Sequence, residues 1–181
     1  MLIGILGGFV LGVVVLLIVI ALRPSEFRIV RSTTIAAPAA AIFPHLNDFK
    51  KHRAWSPWVK LDPAAKYAYE GPASGVGARM AWKGNGRAGA GRQTIVNSVP
   101  QELVRVKLEF FKPFPSTSTT EFELKPDATT TTVSWILYGK NTFPAKAFGL
   151  LMNQDKMLGG FFEEGLASLK KLVETGVPTN R

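Results

Sequence analysis

Leu103-Val104-Arg105-Val106-Lys107-Leu108-Glu109-Phe110-Phe111 alternates apolar and charged residues. Val104, Val106, Leu108 and Phe110 share one face, and Arg105, Lys107 and Glu109 the other. That period of two belongs to a half-buried antiparallel strand. Similar segments lie on both sides. Before it come Tyr67–Glu70, Ala78–Lys83 and Gly91–Val99; after it come Ser116–Leu124 and Thr130–Tyr138. Turn residues at 71–75 and 125–127 separate them. Phe27–Ile35, rich in Ile, Val and Thr, predicts a first strand. Pro38 opens a helical stretch in which Pro44 breaks or kinks the helix, so one or two short helices are expected. Pro144–Glu174 predicts one long helix, ended by Gly176 and Pro178. Strands in a run followed by a helix indicate α+β with an antiparallel sheet.

The chain has 181 residues, 46% hydrophobic, with mean hydropathy +0.13 and formal net charge +9. These values are reconciled by a division after Leu22. Residues 1–22 carry no charge and, four glycines apart, are all apolar. The remainder holds all 22 Lys+Arg and all 13 Asp+Glu, the composition of an ordinary globular domain. Zero cysteines exclude disulfides and thiol chemistry. Twenty-two helical residues reach about 33 Å, so 1–22 is expected to be a transmembrane helix. No basic residue precedes it, which argues against a signal peptide. Arg23, Arg28 and Arg31 follow at once, placing a single-pass protein with its domain on the cytoplasmic side. Gly4, Gly8 and Gly12, four apart, are a possible homodimer face. The expected division is 1–22 span, 23–26 linker, 27–174 domain and 175–181 flexible tail.

Gly84-Asn85-Gly86-Arg87-Ala88-Gly89 matches a dinucleotide fingerprint in letters only. A strand follows it instead of a helix. Asn85-Gly86 reads instead as a tight hairpin turn with positive φ at both positions. His45 and His52 lack a third ligand, so no metal is expected. Nothing calls for a cofactor. Arg79, Lys83, Arg87 and Arg92 are expected on the outer side of one hairpin. No aromatic platform accompanies them, so no nucleic-acid partner is expected.

Several stretches resemble the bacterial polyketide cyclase/dehydrase-like branch of the SRPBCC (START/Bet v1-like) superfamily. They are Ile35-Ala36-Ala37-Pro38, Ile42-Phe43, Leu46-Asn47-Asp48-Phe49, Trp55-Ser56-Pro57-Trp58, the 71–77 glycine loop, the 82–91 hairpin, Met152-Asn153-Gln154-Asp155-Lys156 and Phe162-Glu163-Glu164-Gly165-Leu166. The resemblance implies a helix-grip fold, in which a curved seven-stranded antiparallel sheet wraps a long C-terminal helix around an internal cavity. It also implies a hydrophobic small molecule or lipid as partner. Alternation and helical period then nominate Met80, Trp82, Val106, Leu108, Phe110, Phe122, Trp135, Met152, Asp155 and Phe162 as cavity residues. Asp155 is the one charge on the helix's apolar stripe. It is the sole weak candidate for acid–base catalysis, or else a structural carboxylate bonded by a strand or loop donor such as a tryptophan N–H from Trp55 or Trp58 or an arginine. The expected function is a membrane-anchored hydrophobic-ligand-binding domain. The alternatives are a cyclase/dehydrase-like lyase and an interaction module with a filled core. Enzymatic activity is left open, with binding preferred because few polar residues (Gln93, Asn97, Thr120 and Tyr138 at most) can face inward.

Overall fold

The computed structural model describes the backbone of residues 2–151 and 153–176, with side chains throughout except at 2–6, 148 and 151. Helix α1 (Leu2–Leu22) precedes β1 (Glu26–Ile35), α2 (Ala39–Leu46) and α3 (Phe49–His52). A 3-10 turn at Pro57–Lys60 leads to β2 (Lys66–Glu70) and β3 (Arg79–Lys83). Then come β4 (Ala90–Val99), β5 (Leu103–Lys112), β6 (Ser116–Asp127) and β7 (Thr130–Lys140). Helices α4 (Phe143–Leu151) and α5 (Gln154–Thr175) close the chain. The seven strands form one antiparallel sheet in the order β1-β7-β6-β5-β4-β3-β2. α5 lies across its concave face, so the α+β, helix-grip-like architecture holds.

One half of that concave face is filled. Ile95, Val104, Val106, Leu124 and Val133 from the sheet are buried in one cluster with Ile35, Ile42 and Leu46, and with Leu166, Leu169 and Leu172 of α5. On α5 the buried positions Phe162, Leu166, Leu169 and Leu172 recur every three or four residues, the stripe of an amphipathic helix. α5 starts where the Asn153 side chain accepts from the Lys156 amide, and stops at Gly176 (φ 71), whose amide donates to the Leu172 carbonyl.

Three expectations are corrected here. The single C-terminal helix is two, because Asn153 is extended (φ −76, ψ 101) and caps a new start. The tight Asn85-Gly86 turn does not form, and neither residue has positive φ. Instead Asn85 Oδ1 accepts from the amides of Arg87 and Ala88, Asp62 Oδ2 accepts from the Asn85 amide, and Gly89 (φ 64) turns the chain back. The loop is wider than a two-residue hairpin: the Gly84 amide donates to the Gly89 carbonyl and the Gly89 amide to the Asn85 carbonyl (both 2.8 Å), and the Asn85 side chain takes up the amides within.

The third correction is larger. The membrane span expected over 1–22 does not stand, nor do the single-pass location and the bilayer as partner. Among the described residues no helix is long and apolar enough to cross a membrane. Ile20 is buried, and Lys146 Nζ of α4 donates to the Ala21 carbonyl (3.2 Å) and Ser25 Oγ (2.9 Å), tying the end of α1 to α4. Gly8 and Gly12 have open space where a side chain would stand. Gly4's surroundings lie outside the described residues, as does the expected tail beyond Gly176.

Candidate functional site: a half-open cavity under the C-terminal helix

The other half of the concave face is not filled. Between it and the helices lies a cavity of about 690 Å³. The sheet supplies its walls through alternation. Met80 and Trp82 come from β3, Gln93 from β4, Leu108 and Phe110 from β5, and Trp135 and Leu137 from β7. β6 supplies every second residue from Ser116 to Phe122, through Ser118 and Thr120, and Thr117 as well. α5 offers Gln154, Met157, Leu158, Phe161 and Phe162, and the loop after α3 offers Trp55, Ser56 and Trp58.

Aromatic rings build the floor. Trp135 stacks on Phe162 at 4.3 Å between centroids and 1° between planes, with Phe122 tilted at 5.1 Å and Trp55 edge-on at 5.6 Å. Trp55 is held by its Nε1–H donating to the His45 carbonyl (3.1 Å). Trp58 meets Phe161 at 4.8 Å. On the far wall Trp82 Nε1 donates to the Ala88 carbonyl, and its ring meets the edge of Phe110 at 5.3 Å. Gly91 makes room for that ring. A Cβ there would lie 2.4 Å from Trp82 Cη2 and 2.3 Å from the Glu109 carbonyl oxygen.

His52 lines the cavity and is otherwise buried, with Nε2–H donating to the Leu46 carbonyl (2.9 Å). Burial lowers its pKa to about 4, so at neutral pH the ring is uncharged and its tautomer is set by that bond. Its neighbours are Phe49, Trp55 and Phe122.

Of the residues expected to line a cavity, Met80, Trp82, Leu108, Phe110, Phe122, Trp135 and Phe162 do so. Val106 does not. It faces inward but sits in the filled half, 1% exposed. Met152 lies outside the described residues. Asp155 is also outside the cavity, at its β1 side. On α5 the cavity face is 154, 157, 158, 161 and 162, whereas 155, 159 and 163 face the edge strand β1. There Arg31 Nη2 and Nη1 donate to the two Asp155 carboxylate oxygens (3.0 and 3.2 Å), and Nε donates to Glu163 (2.6 Å). A Cβ on Gly159 would lie 2.1 Å from Arg31 Nη2, so the guanidinium lies flat against the helix backbone. The hydrogen bonds from Arg31 hold the Asp155 carboxyl below its ordinary value. Asp155→Asn is expected to lower the melting temperature by less than about 4 °C, because the pair is open to solvent. Calorimetry checks this.

Of the polar residues thought able to face inward, Gln93 and Thr120 line the cavity. Tyr138 points to the convex side, where its hydroxyl donates to Glu121 (2.8 Å). Asn97 follows an irregularity in the β4–β5 register and is not in the lining. The hydroxyls of Ser116 and Ser118, the His52 ring, and Gln154 and Phe161 of α5 were not foreseen. Arg87 was placed on the outer side of its hairpin, and instead lines the cavity. Among the described residues no three His, Cys, Asp or Glu side chains cluster as a metal would require.

No curated protein matches the chain. Solved structures do match in fold. KanY, known in solution by NMR, is 19% identical, with 83% of this chain and 99% of that one covered and a TM-score of 0.61. DynU16, from the dynemicin biosynthetic locus, is 13% identical, covering 85% of this chain and 49% of that one at a TM-score of 0.60. The Aha1 dimer from Colwellia psychrerythraea is 19% identical, covering 83% and 98% at 0.55. At these identities the likeness speaks for the fold alone. The sequence carries the rest: the model of the family described as polyketide cyclase / dehydrase and lipid transport matches residues 26–174, and the chain belongs to that family.

Proposed function

We propose that residues 27–174 form a domain that binds a hydrophobic small molecule or lipid in the cavity beneath α5. The observation that carries this reading is the unfilled, mostly aromatic and aliphatic half of the concave face, about 690 Å³ in volume. Sites for small ligands run from about 300 to 1,000 Å³, apolar with a few placed polar groups. The β6 hydroxyls and Gln93 are such groups, and Trp82, Trp135 and Phe162 offer flat faces to a ring or chain. An acid–base enzyme needs convergent groups that can exchange a proton near neutral pH. Asp155 is committed to Arg31, and among the described lining residues there is no carboxylate. That favours binding over cyclase/dehydrase chemistry.

The test is titration of the full chain with N-phenyl-1-naphthylamine, a neutral probe that fluoresces in apolar sites. Saturable binding is expected. Leu108→Trp places an indole in the void and is expected to weaken binding at least about tenfold, a loss of about 1.4 kcal/mol, with circular dichroism unchanged. Asp155→Asn is expected to leave it unchanged. Absence of saturable binding, or binding indifferent to Leu108→Trp, removes this reading.

A further inference from the structure

The cavity is apolar, but its charged residues all have one sign. Arg53, Arg87 and Lys140 are in its lining, and among the described residues no Asp or Glu is, although the chain has 13 acidic residues. Arg87 and Lys140 are exposed and form no ion pair among the described residues, whereas Arg31, Arg92 and Arg105 each hold a carboxylate. Glu26 stands opposite Lys140 in the β1–β7 register, yet neither pairs with it nor lines the cavity. Arg87 is carried on a well-held loop. Its amide donates to Asn85 Oδ1 (2.9 Å), and the Asn85 amide is anchored on Asp62 (2.6 Å). Lys140 ends β7, followed in the lining by Asn141 and Thr142. Both cations stand where the strands end, so an anion meeting them there keeps part of its hydration while an apolar body lies within.

From this placement we infer that the ligand is an amphiphile with an anionic end. Its apolar body lies against Trp82, Leu108 and Trp135, and its carboxylate or similar group meets Arg87 or Lys140 at the mouth. The inference rests on the binding reading above and adds the class of ligand. Cations without a carboxylate partner attract an anion, and a net charge of +9 draws it toward the chain. A neutral ligand gains at most a hydrogen bond from them and none of the charge attraction.

The experiment displaces N-phenyl-1-naphthylamine from the full chain with dodecanoate or dodecanol, equal in chain length and different only in the head. At pH 8 and low salt, dodecanoate is expected to compete at least about fivefold better, the scale of one partly exposed charge contact. The preference shrinks at high salt. The double variant Arg87→Gln/Lys140→Gln is expected to abolish it and leave dodecanol unaffected. Equal competition by acid and alcohol, or a preference that survives the double variant, overturns the anionic-ligand inference and leaves the binding reading standing. If the probe itself fails to bind, both fall.

Discussion

Trp135→Ala is expected to destabilise the chain by about 3–5 kcal/mol, the range for deleting a large buried aromatic. The indole is 5% exposed and is the hub of the floor, touching Phe162, Phe122 and Trp55 at once. Its removal merges a new void with the existing cavity, and α5 cannot close it, because Leu166, Leu169 and Leu172 already pin the helix to the filled half. Trp135→Phe is expected to cost less than about 1.5 kcal/mol. Phenyl keeps a ring on Phe162, and the buried Trp135 Nε1 has no hydrogen-bond partner to lose. Urea unfolding followed by circular dichroism measures both. A loss under about 1 kcal/mol for the alanine variant contradicts the account of the floor.

Acidification has the second large effect. The folded pKa of His52 is about 4, against 6.5 for an unperturbed imidazole. The unfolded chain therefore takes up this proton first. The stability tied to a neutral His52 is whole above about pH 6.5 and drains away as the pH falls toward 4. At 1.36 kcal/mol per pKa unit it amounts to about 3 kcal/mol. His45, also lowered by burial and by the nearby Lys51, adds in the same direction. Asp155 and Glu109, held low by hydrogen bonds from Arg31 and from Lys107 and Arg92, lose their contribution only below about pH 4.5. His52→Gln keeps a donor for the Leu46 carbonyl and cannot titrate. Its unfolding free energy is expected to decline clearly less between pH 6.5 and 5 than that of the parent chain, His45 alone supplying what decline remains. An equal decline in both places the effect elsewhere.

The strands were legible because each bears a face that must be buried. In β5 the alternation reads off directly, and the register places Val104, Val106, Leu108 and Phe110 where alternation put them. What alternation cannot tell is how far along a strand the facing helix still packs. Val106 and Leu108 are adjacent on one face, yet one is core and the other lines a void. Similarly, two-residue steps back from Phe122 lead through Thr120, Ser118 and Ser116, all on the cavity face. Thr120 was among the polar residues expected inward, but a search for apolar inward residues passes over Ser118 and Ser116, because a polar residue beside a cavity looks like a polar residue beside water. His52 was hidden for the opposite reason. A histidine in a short basic helix reads as solvated or structural alike until the rings around it are in place.

Asp155 shows the limit from the helix side. Its phase on α5 is right for facing the sheet, but the sheet element below is the β1 edge with Arg31, 124 positions away in the chain. Arg87 is the same case in reverse, since the loop that carries it is shaped by Asp62, 23 positions before Asn85. The residues alone determined an antiparallel α+β fold with a helix on one face of its sheet, because periodicity and turn chemistry are local and burial demands them. Tertiary structure alone decided where packing stops and a cavity begins, which charges are spent on one another, and which face it. Those outcomes depend on distances between segments far apart in sequence, and no local pattern encodes them.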